Sequence, residues 1–204
     1  MSAIAAAPPE SRARAHNAGS NHRPPEITIP EMFRSTVERS GDRSALLHKV
    51  DGKWQPITYR ELQARVTHFA NGLIRLGIAP GECVSLLSEN RPEWAITDLA
   101  LTSIGAINVP LYATLPPPQV EYIVADSQSV ALIVSNQKQL EKALEIRKHL
   151  PLLRHLIVID PPEKPVEGVL LFSEICEHGA VADAEQQVRR RAEAVRPTDL
   201  ATII

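Results

Sequence analysis

The sequence predicts an α/β fold: a doubly wound, mainly parallel sheet with helices on both faces. Four short apolar runs rich in Val, Ile and Leu begin near residues 82, 106, 130 and 154. Unbroken runs of this kind belong to strands buried on both faces. Helical stretches lie between them, so the order reads βαβαβαβ. Right-handed crossovers wind such a series into a doubly wound sheet. The even spacing is not a repeat protein, because the four units share no residue signature beyond strand and helix type.

The elements follow in order. Thr28 and Glu31 form a Thr-x-x-Glu capping box with Pro30 in the first turn, and Met32, Phe33, Thr36 and Val37 line one helix face until Gly41. SALLHKV and KWQPIT flank Asp51-Gly52, a dipeptide suited to the positive φ values of a type I′ turn, which predicts a hairpin with His48 on its surface. A second capping box, Thr58 to Glu61, opens a helix whose Leu62, Val66, Phe69, Leu73 and Leu76 follow helical spacing, with Gly77 as its left-handed stop.

ECVSLLS, RPEWAITDLALTSI, AINVPL, QVEYIVADS, VALIV, NQKQLEKALEIRKHL and RHLIVID then form the strand and helix series. After Asp160, PPEKPVEG reads as a Pro-rich connector and LFSEICEHG as a short helix with Ser173 as N-cap and Gly179 as stop. DAEQQVRRRAEAV is a helix whose Arg189, Arg190 and Arg191 form a solvated face near Glu185 and Glu193. LATII reads as a strand cut off mid-course, with an exposed sheet edge and aggregation risk to follow.

With 204 residues, 44% of them hydrophobic, the chain can bury a core. A net charge of -2 with scattered cations provides no field for phosphate backbones, so nucleic acid is not an expected partner. Cys83 and Cys176 have no CxxC or His spacing, and two buried, reduced thiols are expected. No apolar run approaches the ~20 residues that span a bilayer, and no basic amphipathic helix with bulky anchors is present. A soluble, cytoplasmic protein with no transmembrane segment is expected, membrane contact being peripheral at most. Residues 1–25 lack an apolar h-region and read as a disordered leader, with a transit peptide as the minor alternative that Pro8 and Pro9 disfavour.

Motifs that carry chemistry are missing: there is no GxxxxGK[ST], GxGxxG after a strand, GxSxG, HExxH or EF-hand pattern. His149 and His155 flank Pro151, and His16 and His22 fall in the leader, so surface or capping roles are expected for them. Ser88-Glu89-Asn90, Tyr112 and Ser135-Asn136 follow three predicted strands and would line the crevice where doubly wound sheets bind ligands. Asn90 and Tyr112 are the candidate substrate-crevice residues. The alternative is that Asn90 and Asn136 cap helices. No catalytic, cofactor-binding or metal residue is assigned.

ITYREL at 57–62, SENRPEWAITDLALTSIGAINVPLYATLPPPQVEYIVADSQSVALIV at 88–134 and RPTDLATII at 196–204 together resemble the AMP-forming adenylate-forming synthetases, most nearly the long-chain fatty acyl-CoA synthetases. The resemblance implies that residues 26–204 are the N-terminal part of the AMP-binding domain, stopping before a Ser/Thr/Gly-rich phosphate loop. It implies a two-step reaction in which a fatty carboxylate attacks the α-phosphate of Mg-ATP, giving an acyl-adenylate and pyrophosphate, after which the CoA thiol displaces AMP. ATP, Mg2+, CoA and a fatty acid are therefore the implied cofactors and partners, and the 204 residues alone are expected to be inactive. A non-catalytic α/β binding or assembly module, or an adenylate-forming enzyme for aryl or amino acids, are the alternatives.

Overall fold

The computed structural model describes residues 26–204, so the leader reading of residues 1–25 lies outside the described residues. α1 (Ile29–Ser40) starts at Thr28, whose Oγ1 accepts the Glu31 N–H at 3.3 Å. Only this half of the expected box forms there. β1 (Ser44–Val50) and β2 (Lys53–Thr58) pair antiparallel as a separate ribbon. Asp51 and Gly52 at its tip have φ of 49° and 77°, the type I′ signature. α2 (Tyr59–Arg75) carries the complete reciprocal capping box, and Gly77 beyond it has φ 85°.

β3 (Cys83–Leu87), β4 (Ile107–Leu111), β5 (Ala131–Val134) and β6 (His155–Val158) start within one residue of the expected positions. α3 (Pro92–Ser103), α4 (Pro117–Asp126) and α5 (Gln137–Ile146) connect them, and a 3-10 turn at Arg147–His149 extends the last helix. β7 (Val169–Leu171) is a fifth strand that the sequence reading did not anticipate, lying between the Pro-rich connector and the run read as a helix, of which it takes only the first residue, Leu171. The all-parallel sheet has the order β4-β3-β5-β6-β7. β7 reaches its place through the Pro-rich loop, with no helix in the crossover.

Alternation along the strands divides the core in two. Ala131, Ile133 and Ile157 face one side, with Phe69, Leu73, Ala100 and Ile104 of α2 and α3. Leu132, Val134, Leu156 and Val158 face the other, with Val120, Val124, Leu140 and Ala143 of α4 and α5. Helices therefore cover both faces, as expected from the apolar runs. Each buried Leu, Ile or Val contributes roughly 1.5–3 kcal/mol from removal of its surface from water.

α6 (Phe172–Gly179) and α7 (Ala184–Ala194) complete the first face. Ser173 is not the N-cap of α6: Leu171 holds that position because β7 runs directly into the helix. Gly179 is the helix's last residue, not a left-handed stop, and its role is contact. A Cβ there would overlap the His68 carbonyl oxygen and lie 2.6 Å from the Gly72 nitrogen, while a Cβ on Gly72 would overlap the Ile175 carbonyl oxygen. Two glycines thus let α2 and α6 touch backbone to backbone, and buried Asn71 donates to the Gly179 carbonyl at 3.0 Å across the contact.

The last residues form a single parallel bridge, Asn108 to Thr202, in place of an extended strand. Arg189 pairs with Glu193 at 2.8 Å on the solvated face of α7, as the spacing predicts. Both cysteines are free but only half-buried, which corrects the expectation of full burial. Burial pushes the Cys176 thiol up to about 12, helped by the charges of Glu93 and Glu177. His48 is also half-buried, not a surface group, and its Nδ1 has no partner.

Candidate functional site

Strand order places the crevice. β3 leads into α3 on the first face, whereas its neighbour β5 leads into α5 on the second. The turns after these two strands part in opposite directions, and that divergence opens a crevice at their carboxyl ends. Ser88, Glu89, Asn90 and Arg91 leave one side of it, and Ser135 and Asn136 the other.

The chain fills this crevice with its own polar groups. Glu89 Oε2 accepts Ser135 Oγ at 2.5 Å and Asn136 Nδ2 at 3.4 Å, and its Oε1 accepts Gln139 Nε2 at 3.2 Å. The Arg91 guanidinium makes two bonds to Asp160 at the end of β6, at 2.8 and 3.0 Å, and a third to Glu93 at 2.7 Å. Paired bonds of this kind are short and directional. Lys142 Nζ donates to the carbonyls of Ala113 and Leu115 at 2.9 and 2.8 Å, and Gln139 Nε2 adds a 3.1 Å bond to Ala113, tying the turn after β4 to α5.

The electrostatics follow from these contacts. Burial pulls the Glu89 pKa up, but hydrogen bonds from Ser135, Gln139 and Asn136 outweigh it and hold the carboxyl below its ordinary value of 4.5. Bonds to Asp160 raise the Arg91 pKa against the opposing effect of burial, and Glu93 raises it further. Burial and the nearby Lys138 lower that of Lys142. A carboxylate already sits before the N-terminus of α5, and Arg91 and Lys142 are both engaged by groups of the chain itself.

A pH dependence follows. A depressed carboxyl stabilises the fold fully above its unfolded pKa and loses that contribution as pH falls through the folded one. Acid unfolding monitored below about pH 4.5 is expected to be less steep for Glu89→Gln than for wild type. Superimposable acid curves would refute the role given to this carboxylate.

Of the two candidate crevice residues, Asn90 follows Glu89 and Tyr112 follows β4. Asn90 is exposed and makes no side-chain hydrogen bond among the described residues, and it does not cap α3, whose N-cap residue is Arg91. Asn136 does cap α5, accepting the Gln139 N–H at 3.2 Å. Tyr112 is 79% exposed. The two are not brought into one pocket: Asn90 edges an open groove of about 650 Å3 whose opposite wall is the hairpin, with Leu47, Lys49 and Trp54, and Tyr112 does not line it. Arg91, Gln139, Lys142 and Asp160 were not foreseen as a cluster. The available signal was a charged residue directly after a strand, as Asp160 follows HLIVI.

Among the described residues, no three His, Cys, Asp or Glu side chains gather where a metal could sit. No helix of the described residues is long and apolar enough to cross a membrane.

Known proteins match most of this chain. The family described as AMP-binding enzyme matches residues 33–204. Long-chain-fatty-acid--CoA ligase ACSBG1 of Bos taurus is 33% identical over 153 residues, which cover 74% of this chain and 21% of the relative. Long-chain-fatty-acid--CoA ligase FadD15 of Mycobacterium bovis is 34% identical over 193 residues, 88% of this chain and 31% of the relative.

Among solved structures, the anthranilate CoA ligase AuaEII in complex with anthranoyl-AMP superposes with a TM-score of 0.66 at 30% identity, covering 74% of this chain and 28% of that one. Coronafacic acid ligase from Pectobacterium brasiliense does so with a TM-score of 0.67 at 23% identity, covering 74% and 29%, and shows the fold alone. The chain thus spans between 21% and 31% of the length of the curated relatives named. The sheet, its two helical layers and the match across residues 33–204 place this chain in the AMP-binding enzyme family, the adenylate-forming synthetases.

Proposed function

We propose that these residues serve an AMP-forming long-chain fatty acid–CoA ligase, which converts ATP, a fatty acid and CoA to acyl-CoA, AMP and pyrophosphate. The similarity to FadD15 over 88% of the chain carries this reading, because it spans the whole parallel sheet and not one motif. In the first step the acid's carboxylate oxygen bonds to the α-phosphorus of ATP and pyrophosphate leaves. In the second the CoA sulfur bonds to the acyl carbon and AMP leaves. Both steps develop charge that needs fixed cations or donors.

Arg91 is committed to Asp160 and Glu93, and Lys142 to backbone carbonyls. We therefore propose that the 204 residues supply scaffold and not catalysis. The purified 204-residue chain is expected to give no ATP–pyrophosphate exchange with palmitate, while the product of the whole coding region gives exchange and palmitoyl-CoA. Exchange by the 204-residue chain would refute the scaffold reading, and failure of the whole product with every acid would refute the ligase reading.

An aryl-acid substrate is the second reading, favoured by the 30% identity to an anthranilate CoA ligase. Faster exchange with anthranilate than with palmitate would select it. Asn90 and Tyr112 are proposed as lining for the substrate crevice from their places after β3 and β4. Unchanged KM values for acid and ATP in Asn90→Ala and Tyr112→Ala forms of the whole product would remove them from that role.

A further inference from the structure

We propose that Lys142, together with Gln139, is a positioning residue that holds the turn after β4 in place as one wall of the substrate crevice. Tyr112 begins this turn, and its carbonyl accepts the Leu115 N–H at 3.0 Å, closing a four-residue turn. The carbonyls of Ala113 and Leu115 then converge on one ammonium: Lys142 Nζ donates to both, at 2.9 and 2.8 Å. Gln139, three positions earlier and on the same face of α5, adds its 3.1 Å bond to the Ala113 carbonyl. The same Nε2 donates to Glu89 at 3.2 Å, so the turn after β4 and the segment after β3 are fastened to one side chain.

The neighbouring chain offers this turn no other support. Pro116, Pro117 and Pro118 follow it and have no N–H to donate. No side chain among the described residues caps α4. The clasp is also made against local preference. Gln139 is 1% exposed and turns its Nε2 to the clasp, while its Oε1 stays buried without a partner among the described residues. Lys142 is half-buried, and burial lowers its pKa. Departures of this kind from the locally favoured arrangement mark places where function constrains geometry.

What the clasp leaves free is Tyr112, exposed at the carboxyl end of the sheet. The Lys142 ammonium is taken up by the two carbonyls, so it acts on substrate through the turn and not by contact. The inference rests on the reading of Tyr112 as crevice lining and adds the residues that aim it.

The test is a double-mutant cycle on the product of the whole coding region, with KM and kcat measured for acid, ATP and CoA. Tyr112→Ala is expected to raise one KM. Lys142→Met should raise the same KM by roughly fivefold or more while kcat stays within about twofold. The double variant should match Tyr112→Ala alone, because Lys142 works only through the turn. Gln139→Met should move the same KM in the same direction by less, and it carries the test if circular dichroism shows that Lys142→Met does not fold. Absence of turnover by the wild type, or a Tyr112→Ala form with every KM unchanged, would remove the crevice reading and this inference with it. A raised KM in Tyr112→Ala that neither Lys142→Met nor Gln139→Met reproduces would overturn the inference and leave the crevice reading standing. So would a lowered thermal midpoint or kcat with KM unchanged, or effects of Lys142→Met and Tyr112→Ala that add in the double variant, since the two clasp residues would then be structural alone.

Discussion

Gly179→Ala is expected to lower the thermal midpoint by roughly 6–12 °C, corresponding to a loss of about 3 kcal/mol in a chain of this size. The atoms that a Cβ would meet are the His68 carbonyl and the Gly72 nitrogen, both backbone, so no side chain can turn aside to make room. α2 and α6 must separate, and separation breaks the buried bond from Asn71 to the Gly179 carbonyl. An unpaired buried amide adds its own desolvation cost. Thermal unfolding followed by circular dichroism measures the effect. A midpoint within about 2 °C of wild type would mean the helices can part at little cost, contrary to the close packing described.

The second large effect belongs to Phe69→Ala, expected to cost about 3–5 kcal/mol in chemical denaturation. Phe69 is fully buried and stacks on Phe172 with ring centroids 4.0 Å apart and planes 25° apart. Truncation removes one of the largest core side chains and leaves a cavity between α2 and α6 that the surrounding strands and helices cannot collapse to fill. Phe69→Leu, which keeps most of the volume, should recover more than half of the loss. Equal losses for Ala and Leu would show that the ring pairing, and not filled volume, carries the energy.

These two sites illustrate how far local pattern reaches. Phe69 was legible as a core position because Leu62, Val66, Phe69 and Leu73 repeat at helical spacing. Gly179 was legible only as a glycine near a helix end, and its usual local meaning, a left-handed stop, was wrong. Its partner Gly72 lies 107 residues earlier, and no periodicity within either helix records a contact between them. Ser173 misled in the same way. It has the chemistry of an N-cap, but Val169–Leu171 joins the sheet edge, and the helix begins where that strand ends.

The candidate site divides along the same line. Ser88-Glu89-Asn90 and Ser135-Asn136 could be placed at strand ends from sequence, since a polar group after an apolar run marks where the chain leaves the sheet. That Glu89 would be held by Ser135, Asn136 and Gln139, and Arg91 by Asp160, could not. Those pairs join residues 46 to 69 positions apart, and they depend on β5 lying beside β3 and β6 beside β5.

By itself, then, the sequence determined the hairpin, the helices and four of the five strands of the sheet, that those strands are parallel and covered on both faces, and the family to which the chain belongs. Each of these rests on periodicity, capping or an ordered set of local segments, all of which act over a few residues. Tertiary structure alone decided that α2 and α6 meet at two glycines, that the switch-point crevice is filled with the chain's own ion pairs, and that Lys142 and Gln139 clasp the turn after β4. The physical reason is that packing and charge pairing depend on distance in space, which strand order sets and no single window of sequence contains.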